Sequence, residues 1–246
     1  MTETRVVPSR IGTDIVKSIF MNVKTRRIDI REIRIDSGAL VGADDGSDTL
    51  FAISNIVING AVVGVNGLDT GSLNDDNWYS IWLIKMPNGS VGGLVSLDFT
   101  NPVMPSGYTM KRRVGAVWYD NDSYHFYPYE QVGKRVSYTQ AREIYGASNM
   151  PVSTWVNVNL NGFVPIESVV GYFQVHGPYT GGSLYMGYTT GLHYVSTSGD
   201  NSHDRQLGDG HVSLVLPSKR VYLYRSGKWN ENPVTVWISG YEDPLY

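Results

Sequence analysis

Residues Leu68–Tyr119 read LDTGSLNDDNWYSIWLIKMPNGSVGGLVSLDFTNPVMPSGYTMKRRVGAVWY, and this stretch decides the fold class of the chain. It contains three strand-like runs, at Trp78–Lys85, Val91–Leu97 and Tyr108–Tyr119. The first two are joined by Pro87-Asn88-Gly89-Ser90, whose Asn-Gly pair readily adopts the positive φ angles that a tight hairpin requires. The stretch is therefore predicted to form an antiparallel meander.

The chain as a whole has the composition of an all-β protein. Its 246 residues include 27 glycines, 17 tyrosines and 6 tryptophans, and only 17% of the residues are charged. The best candidate for a helix, Tyr138–Tyr145, is long enough for only one or two turns. Strand-like runs recur about every ten residues with turn-forming residues between them, as in β-sandwiches and jelly rolls. We therefore predict an antiparallel β-sandwich of the jelly-roll type.

Charge separates the first 36 residues from the remainder. Residues 1–36 carry eight Lys and Arg against five Asp and Glu, whereas residues 37–246 carry twelve against eighteen. This pattern predicts an extended N-terminal arm, residues 1–36, ahead of a single β-sandwich domain, residues 37–246. The arm would anchor the protein to an acidic partner through Arg26, Arg27, Arg31 and Arg34. An ordinary solvated first strand is the alternative interpretation.

The composition of the chain limits the classes of partner that we expect for it. The formal net charge is -3, which argues against a general nucleic-acid binder. Every hydrophobic run is shorter than a membrane span, and the first residues lack the apolar core of a signal peptide. We therefore expect a protein that is made in a cytoplasm and does not enter a membrane.

The sequence contains no pattern that indicates catalysis, so we predict a protein that is not an enzyme and has no cofactor. It has no cysteine, no serine in a G-x-S-x-G elbow and no histidine pair at metal-binding spacing. A glycosidase needs two facing carboxylates, and the candidates Asp200, Asp204 and Asp209 lie in one loop region. The aspartates at 44–48, 120–122 and 200–204 resemble calcium loops only weakly, so we interpret these segments as Asx turns and predict no metal site.

Two aromatic clusters are candidates for binding. Tyr222 and Tyr224 alternate with aliphatic residues, so both tyrosines face outward, near Trp229, if the aliphatic side chains face the core. The second cluster follows the third strand-like run and includes Tyr124, Tyr127 and Tyr129. Outward-facing aromatic rings suit a subunit interface or stacking on a sugar. A tyrosine-rich core is the remaining interpretation.

The order of several separate elements in Leu68–Tyr119 resembles a module of phage and prophage tail and virion proteins. The elements are LDTGSL at Leu68–Leu73, NWY and WLI within Asn77–Ile84, GLVS at Gly93–Ser96, and PSGYT-x-KRRVGAV at Pro105–Val117. The resemblance covers about fifty residues well and extends weakly over residues 37–246. No catalytic residues define this group.

The resemblance implies a β-sandwich component of the virion, commonly a homotrimer in a tail fibre or another appendage. Its partners would be other copies of itself, other virion proteins and a glycan of the host surface. A capsid decoration or head-fibre protein is the alternative position on the particle. A carbohydrate-binding or glycan-hydrolysing β-sandwich module is the alternative from another class.

Overall fold

The computed structural model describes residues 9–120, 125–147, 151, 153–176, 183–187, 195–198, 210–226 and 234–245. One helix, α1 (Ser9–Ser18), precedes the strands β1 (Phe20–Met21), β2 (Lys24–Asp29), β3 (Glu32–Ile35), β4 (Leu40–Gly42), β5 (Thr49–Phe51), β6 (Ile56–Val63), β7 (Gly67–Leu68), β8 (Asn77–Lys85), β9 (Val91–Ser96) and β10 (Met110–Asp120). The later strands are β11 (His125–Phe126), β12 (Tyr129–Val132), β13 (Arg135–Ala147), β14 (Trp155–Asn159), β15 (Val170–His176), β16 (Ser183–Gly187), β17 (Val195–Ser198), β18 (Gly210–Val215), β19 (Arg220–Ser226) and β20 (Val234–Glu242).

The all-β prediction is confirmed, because strands dominate the chain and pair into large sheets that are mostly antiparallel. The jelly-roll connectivity stays a prediction. Tyr138–Tyr145, the best candidate for a helix, lies inside the long strand β13. Val136, Tyr138 and Ile144 are all buried there, so tertiary packing outweighs the weak local preference for a helix.

Two compact units make up the chain, and the division differs from the predicted boundary at residue 36. The first unit contains Met1–Lys134 and Leu245–Tyr246, and the second contains Arg135–Pro244. In the first unit the large sheet has the strand order β11-β10-β8-β9-β7-β6-β3-β2-β12, and a small sheet has the order β1-β4-β5. Among the strand pairings of the described residues in this unit, β6–β7 and β7–β9 are the parallel ones.

The three central strands form as predicted, but the order of a meander is wrong. β8 pairs with β9 across the turn at Pro87–Ser90, where Gly89 has a φ of 95°. β10 returns to the other edge of β8, with Tyr119 opposite Asn77 and Met110 opposite Lys85. The free edge of β9 is taken by β7 in parallel pairing, so β10 has no place beside β9.

The predicted N-terminal arm, residues 1–36, is also corrected, because its residues 24–29 and 32–35 are strands of the large sheet of the first unit. β2 and β3 form an antiparallel hairpin. β2 also pairs with β12, and β3 also pairs with β6. Ile33 and Ile35 alternate with charged residues, and both isoleucines are fully buried. Residues 24–35 are therefore integral strands of the first unit, which is closer to the alternative interpretation of a first strand.

The second unit contains two sets of four antiparallel strands, one of them a separate four-stranded sheet and the other a part of the large sheet. Their strand orders are β13-β20-β15-β18 and β14-β19-β16-β17. Each sheet buries a row of alternating apolar side chains, as the period of two in a strand dictates. The buried rows include Val136, Phe173, Val175, Leu214, Val221, Leu223, Val236 and Ile238.

In the part of the chain that the structure describes, no helix has the length and apolar character needed to cross a membrane.

Candidate functional site

The outward face of β14 and β19 contains two of the predicted aromatic binding residues. Val221 and Leu223 are fully buried, so Tyr222 and Tyr224 project from the opposite face of β19 and are half-buried there. The predicted orientation of these two tyrosines is confirmed. Trp229, the third member of this predicted cluster, lies outside the described residues.

Strand register places an aromatic and two amides beside these tyrosines. Trp155 lies opposite Tyr224 and Asn157 lies opposite Tyr222, while Asn159 lies opposite Arg220. The rings of Trp155 and Tyr224 are 5.0 Å apart between centroids, with their planes inclined at 41°. The outward face therefore presents two aromatic rings in contact beside exposed asparagine side chains.

This arrangement has the chemistry of a carbohydrate-contact surface. Aromatic rings pack against the apolar C–H face of a sugar, and amide groups can both donate hydrogen bonds to hydroxyl groups and accept them. Trp155 and Asn157 were not among the predicted binding residues. The alternation of Val156 and Val158 with Trp155 and Asn157 is the sequence signal for their common face, but the sequence does not reveal that β14 pairs with β19.

In the second predicted aromatic cluster, Tyr129 lies in the core and not at the surface. Tyr129 is only 2% exposed, and its hydroxyl shares a hydrogen bond of 3.0 Å with the Thr25 hydroxyl. Burial raises the pKa of the Tyr129 phenol well above its usual range. Tyr129 is therefore corrected from a candidate binding residue to a core residue. Tyr127 is half-buried, and Tyr124 lies outside the described residues.

The four arginines of the predicted arm divide among different environments. Arg34 Nε lies 2.8 Å from Asp36 Oδ1, and Arg26 Nη2 lies 3.4 Å from Asp36 Oδ2. Arg27 Nη1 donates to the main-chain oxygen of Phe126 at 3.0 Å, so this side chain supports the fold. Arg31 is exposed at the far end of the hairpin.

The aspartates at 44–48 form a turn, as predicted. Asp45 Oδ1 accepts hydrogen bonds from the nitrogen and the hydroxyl of Ser47, and these bonds lower the Asp45 pKa. Asp48 forms an ion pair with Lys85 at 2.5 Å. Within the described ranges, no three His, Asp or Glu side chains are grouped so that they could hold a metal ion. Asp200, Asp204 and Asp209 lie outside those ranges.

Hydrogen bonds join separate parts of the stretch Leu68–Tyr119 within the first unit. Asp69 of LDTG accepts from the Ser96 hydroxyl at 2.7 Å and from the main-chain nitrogen of Val103 at 3.0 Å. The Tyr79 hydroxyl accepts from the main-chain nitrogen of Asn74 at 2.6 Å. Trp82 is 2% exposed and packs with Met104, Tyr108 and aliphatic neighbours.

The basic segment Lys111-Arg112-Arg113, at the start of β10, has a structural role. Arg112 donates to the main-chain oxygen of Leu245 at 3.0 Å and lies 3.4 Å from an Asp44 oxygen. Lys111 Nζ donates to the main-chain oxygen of Thr100 at 2.9 Å. Both arginines are buried, so the segment is not a surface patch for nucleic acid.

No protein-family model, curated protein or solved structure gives a match to the chain.

Proposed function

We propose that this chain is a non-enzymatic structural protein of a bacteriophage particle, a component of a tail fibre or another appendage. It is made in the host cytoplasm and assembles into the virion as an oligomer, with a homotrimer as the expected form. The observation that carries the proposal is the hydrogen bond from the Ser96 hydroxyl to Asp69, which links two of the motifs that resemble virion proteins. Those motifs therefore belong to one folded module, which supports a resemblance based on their order.

The position on the particle is tested by immunogold labelling. Antibodies against the purified chain are applied to purified particles from cells that carry the gene. We expect gold at the tail or at another appendage. Gold distributed over the head supports the alternative of a capsid decoration or head-fibre protein, and particles without label contradict a virion role.

A second candidate function is contact with a glycan, and the face of β14 and β19 favours it. The contact between Trp155 and Tyr224 places a preformed aromatic surface beside Asn157. Binding without turnover distinguishes this function from a glycan-hydrolysing module. The test is calorimetric titration of the full chain with neutral oligosaccharides, followed by analysis of the recovered sugar for cleavage.

A further inference from the structure

A polar groove opens on the outward face of the β2–β3 hairpin. Its volume is about 310 Å³, and the lining residues used below are Asn22, Lys24, Arg34, Asp36, Ser37 and Asn55. The inner face of the same hairpin is buried through Thr25, Ile33 and Ile35. The groove therefore lies on a hairpin whose opposite face is packed in the core of the first unit.

The groove has more positive than negative groups. Arg26 and Arg34 are register partners, and both contact the single carboxylate of Asp36. Lys24 is exposed, and its ammonium group has no ion pair or hydrogen bond within the described ranges. Glu130 lies opposite Arg26 on β12 and forms no ion pair within those ranges. Within the groove itself the cations Lys24 and Arg34 stand against the paired carboxylate of Asp36, and the Lys24 ammonium is available to a further anion.

Hydrogen-bond donors also outnumber acceptors here. The main-chain nitrogen of Ser37 donates to Asn55 Oδ1 at 2.9 Å, which uses that amide oxygen. Asp36 uses both carboxylate oxygens on the two arginines. The Lys24 ammonium and the Arg34 Nη groups remain as charged donors, and such donors bind carboxylates strongly.

Apolar side chains flank the charged groups in the strand register. Val57 lies opposite Arg34 and is 40% exposed, and Val132 lies opposite Lys24 and is 64% exposed. A ligand that spans this face would therefore meet cations in its centre and an apolar side chain on either side. An extended peptide with alternating acidic and apolar residues has this pattern.

We propose that this face is a docking site for an acidic peptide segment of another protein. A carboxylate of the segment binds to Lys24 and to the outer nitrogens of Arg34, and a neighbouring apolar side chain packs on Val57 or Val132. The exposed side chains of Val57 and Val132 favour a peptide over inorganic phosphate, because phosphate has no apolar group to pack against them. The inference rests on the proposed function only for the identity of the partner, since the binding is measured without particles.

The test is fluorescence anisotropy of a labelled peptide, blocked at both ends, that contains four Glu-Leu repeats. We expect the full chain to bind it and to lose affinity as salt rises from about 0.1 M to about 1 M, where the screening length falls from about 10 Å to about 3 Å. Lys24→Ala should weaken binding about twofold to fivefold, the range expected for one exposed ion pair. Lys24→Glu should weaken it further.

Arg31→Ala is the matched control, because Arg31 is an exposed cation on the same hairpin that does not line the groove. Equal losses in R31A and K24A would show attraction to overall charge and overturn the proposal. No binding to the Glu-Leu peptide, or equal binding to a Gln-Leu peptide, would also overturn it. Displacement of the peptide by millimolar inorganic phosphate would overturn the proposal and assign the groove to phosphate binding. A sedimentation coefficient that differs between the wild type and K24A would also overturn it and assign this face to self-association.

Discussion

Asp69 Oδ2 accepts a hydrogen bond from the main-chain nitrogen of Val103, at 3.0 Å, although the two residues are 34 positions apart in the chain. The same oxygen accepts from the hydroxyl of Ser96 at the end of β9. Val103 lies in the connection that leads from β9 to β10, and Met104 and Tyr108 of this connection pack on Trp82. Asp69 therefore fixes the position of the connection between β9 and β10, which leads to the edge of β8 opposite β9.

Removal of the Asp69 carboxylate should destabilise the first unit. Asp69→Ala leaves the Ser96 hydroxyl and the Val103 nitrogen without their acceptor, so we expect a loss of about 1–3 kcal/mol in the free energy of unfolding. The measurement is urea unfolding followed by fluorescence. Asp98→Ala is the control, because among the described residues the Asp98 carboxylate accepts hydrogen bonds from Thr100 and Asn101 of its own loop and from no other segment. A loss at Asp98 as large as the loss at Asp69 would contradict the crossover role.

Gly115 should not tolerate a side chain while Gln131 is present. A Cβ at Gly115 would lie 2.3 Å from Gln131 Oε1, and Gln131 Nε2 donates at 2.7 Å to the oxygen of Val114, the extra residue of a bulge in β10. Gly115→Ala should therefore cost about 1–3 kcal/mol of stability, as overpacking does. In the double-mutant cycle with Gln131→Ala, the second substitution removes the clash, so the two losses should sum to more than the double variant shows. Additive losses would contradict this account.

Tyr129 should make the protein less stable at alkaline pH. Burial raises the pKa of its phenol in the folded state, whereas the phenol of an unfolded chain loses its proton at about pH 10. The unfolded state then binds fewer protons, so the free energy of unfolding decreases above about pH 10, by up to about 1.4 kcal/mol per pH unit for this group. Below that pH the contribution is constant.

The measurement for Tyr129 is the pH dependence of urea unfolding in the wild type and in Tyr129→Phe. Burial also raises the pKa of Tyr79, so the wild-type slope contains more than one contribution. The difference between the two proteins isolates Tyr129. We expect a shallower decline in Y129F, and parallel curves would show that Tyr129 does not contribute.

Trp155 should matter for glycan binding because its ring contacts Tyr224 on the open face of β19. Trp155→Ala should weaken binding of a neutral oligosaccharide at least about fivefold by loss of the stacking surface. Trp237→Ala is the matched control, since Trp237 is a half-buried tryptophan of the other sheet in the same unit. Equal losses in the two variants would contradict a site on β14 and β19. A change in oligomer mass in W155A alone would assign the face to a subunit interface.

Local pattern was sufficient for features that depend on neighbouring residues. Asn88-Gly89 predicted the hairpin turn, and the alternation around Tyr222 and Tyr224 predicted which face they occupy. Both features follow from the φ preference of glycine and from the period of two in a strand.

Features that depend on distant pairing were not predictable. β10 lies beside β8 because β7 occupies the other edge of β9, and no local pattern encodes that competition. Tyr129 and Gln131 share the inward face of β12. Because Gln131 is polar although it is buried, the sequence of β12 lacks the alternation of apolar and polar residues that would have predicted burial of Tyr129. Trp155 became part of the candidate site only through its register with Tyr224.

A density map of the assembled particle tests the virion assignment most directly. We expect the all-β fold of this chain to be identifiable at a tail fibre or another appendage, in copies related by threefold symmetry. Density for the chain on the head would move it to the alternative position. A map of particles from cells that express the protein, with every external density assigned to other chains, would contradict the central claim.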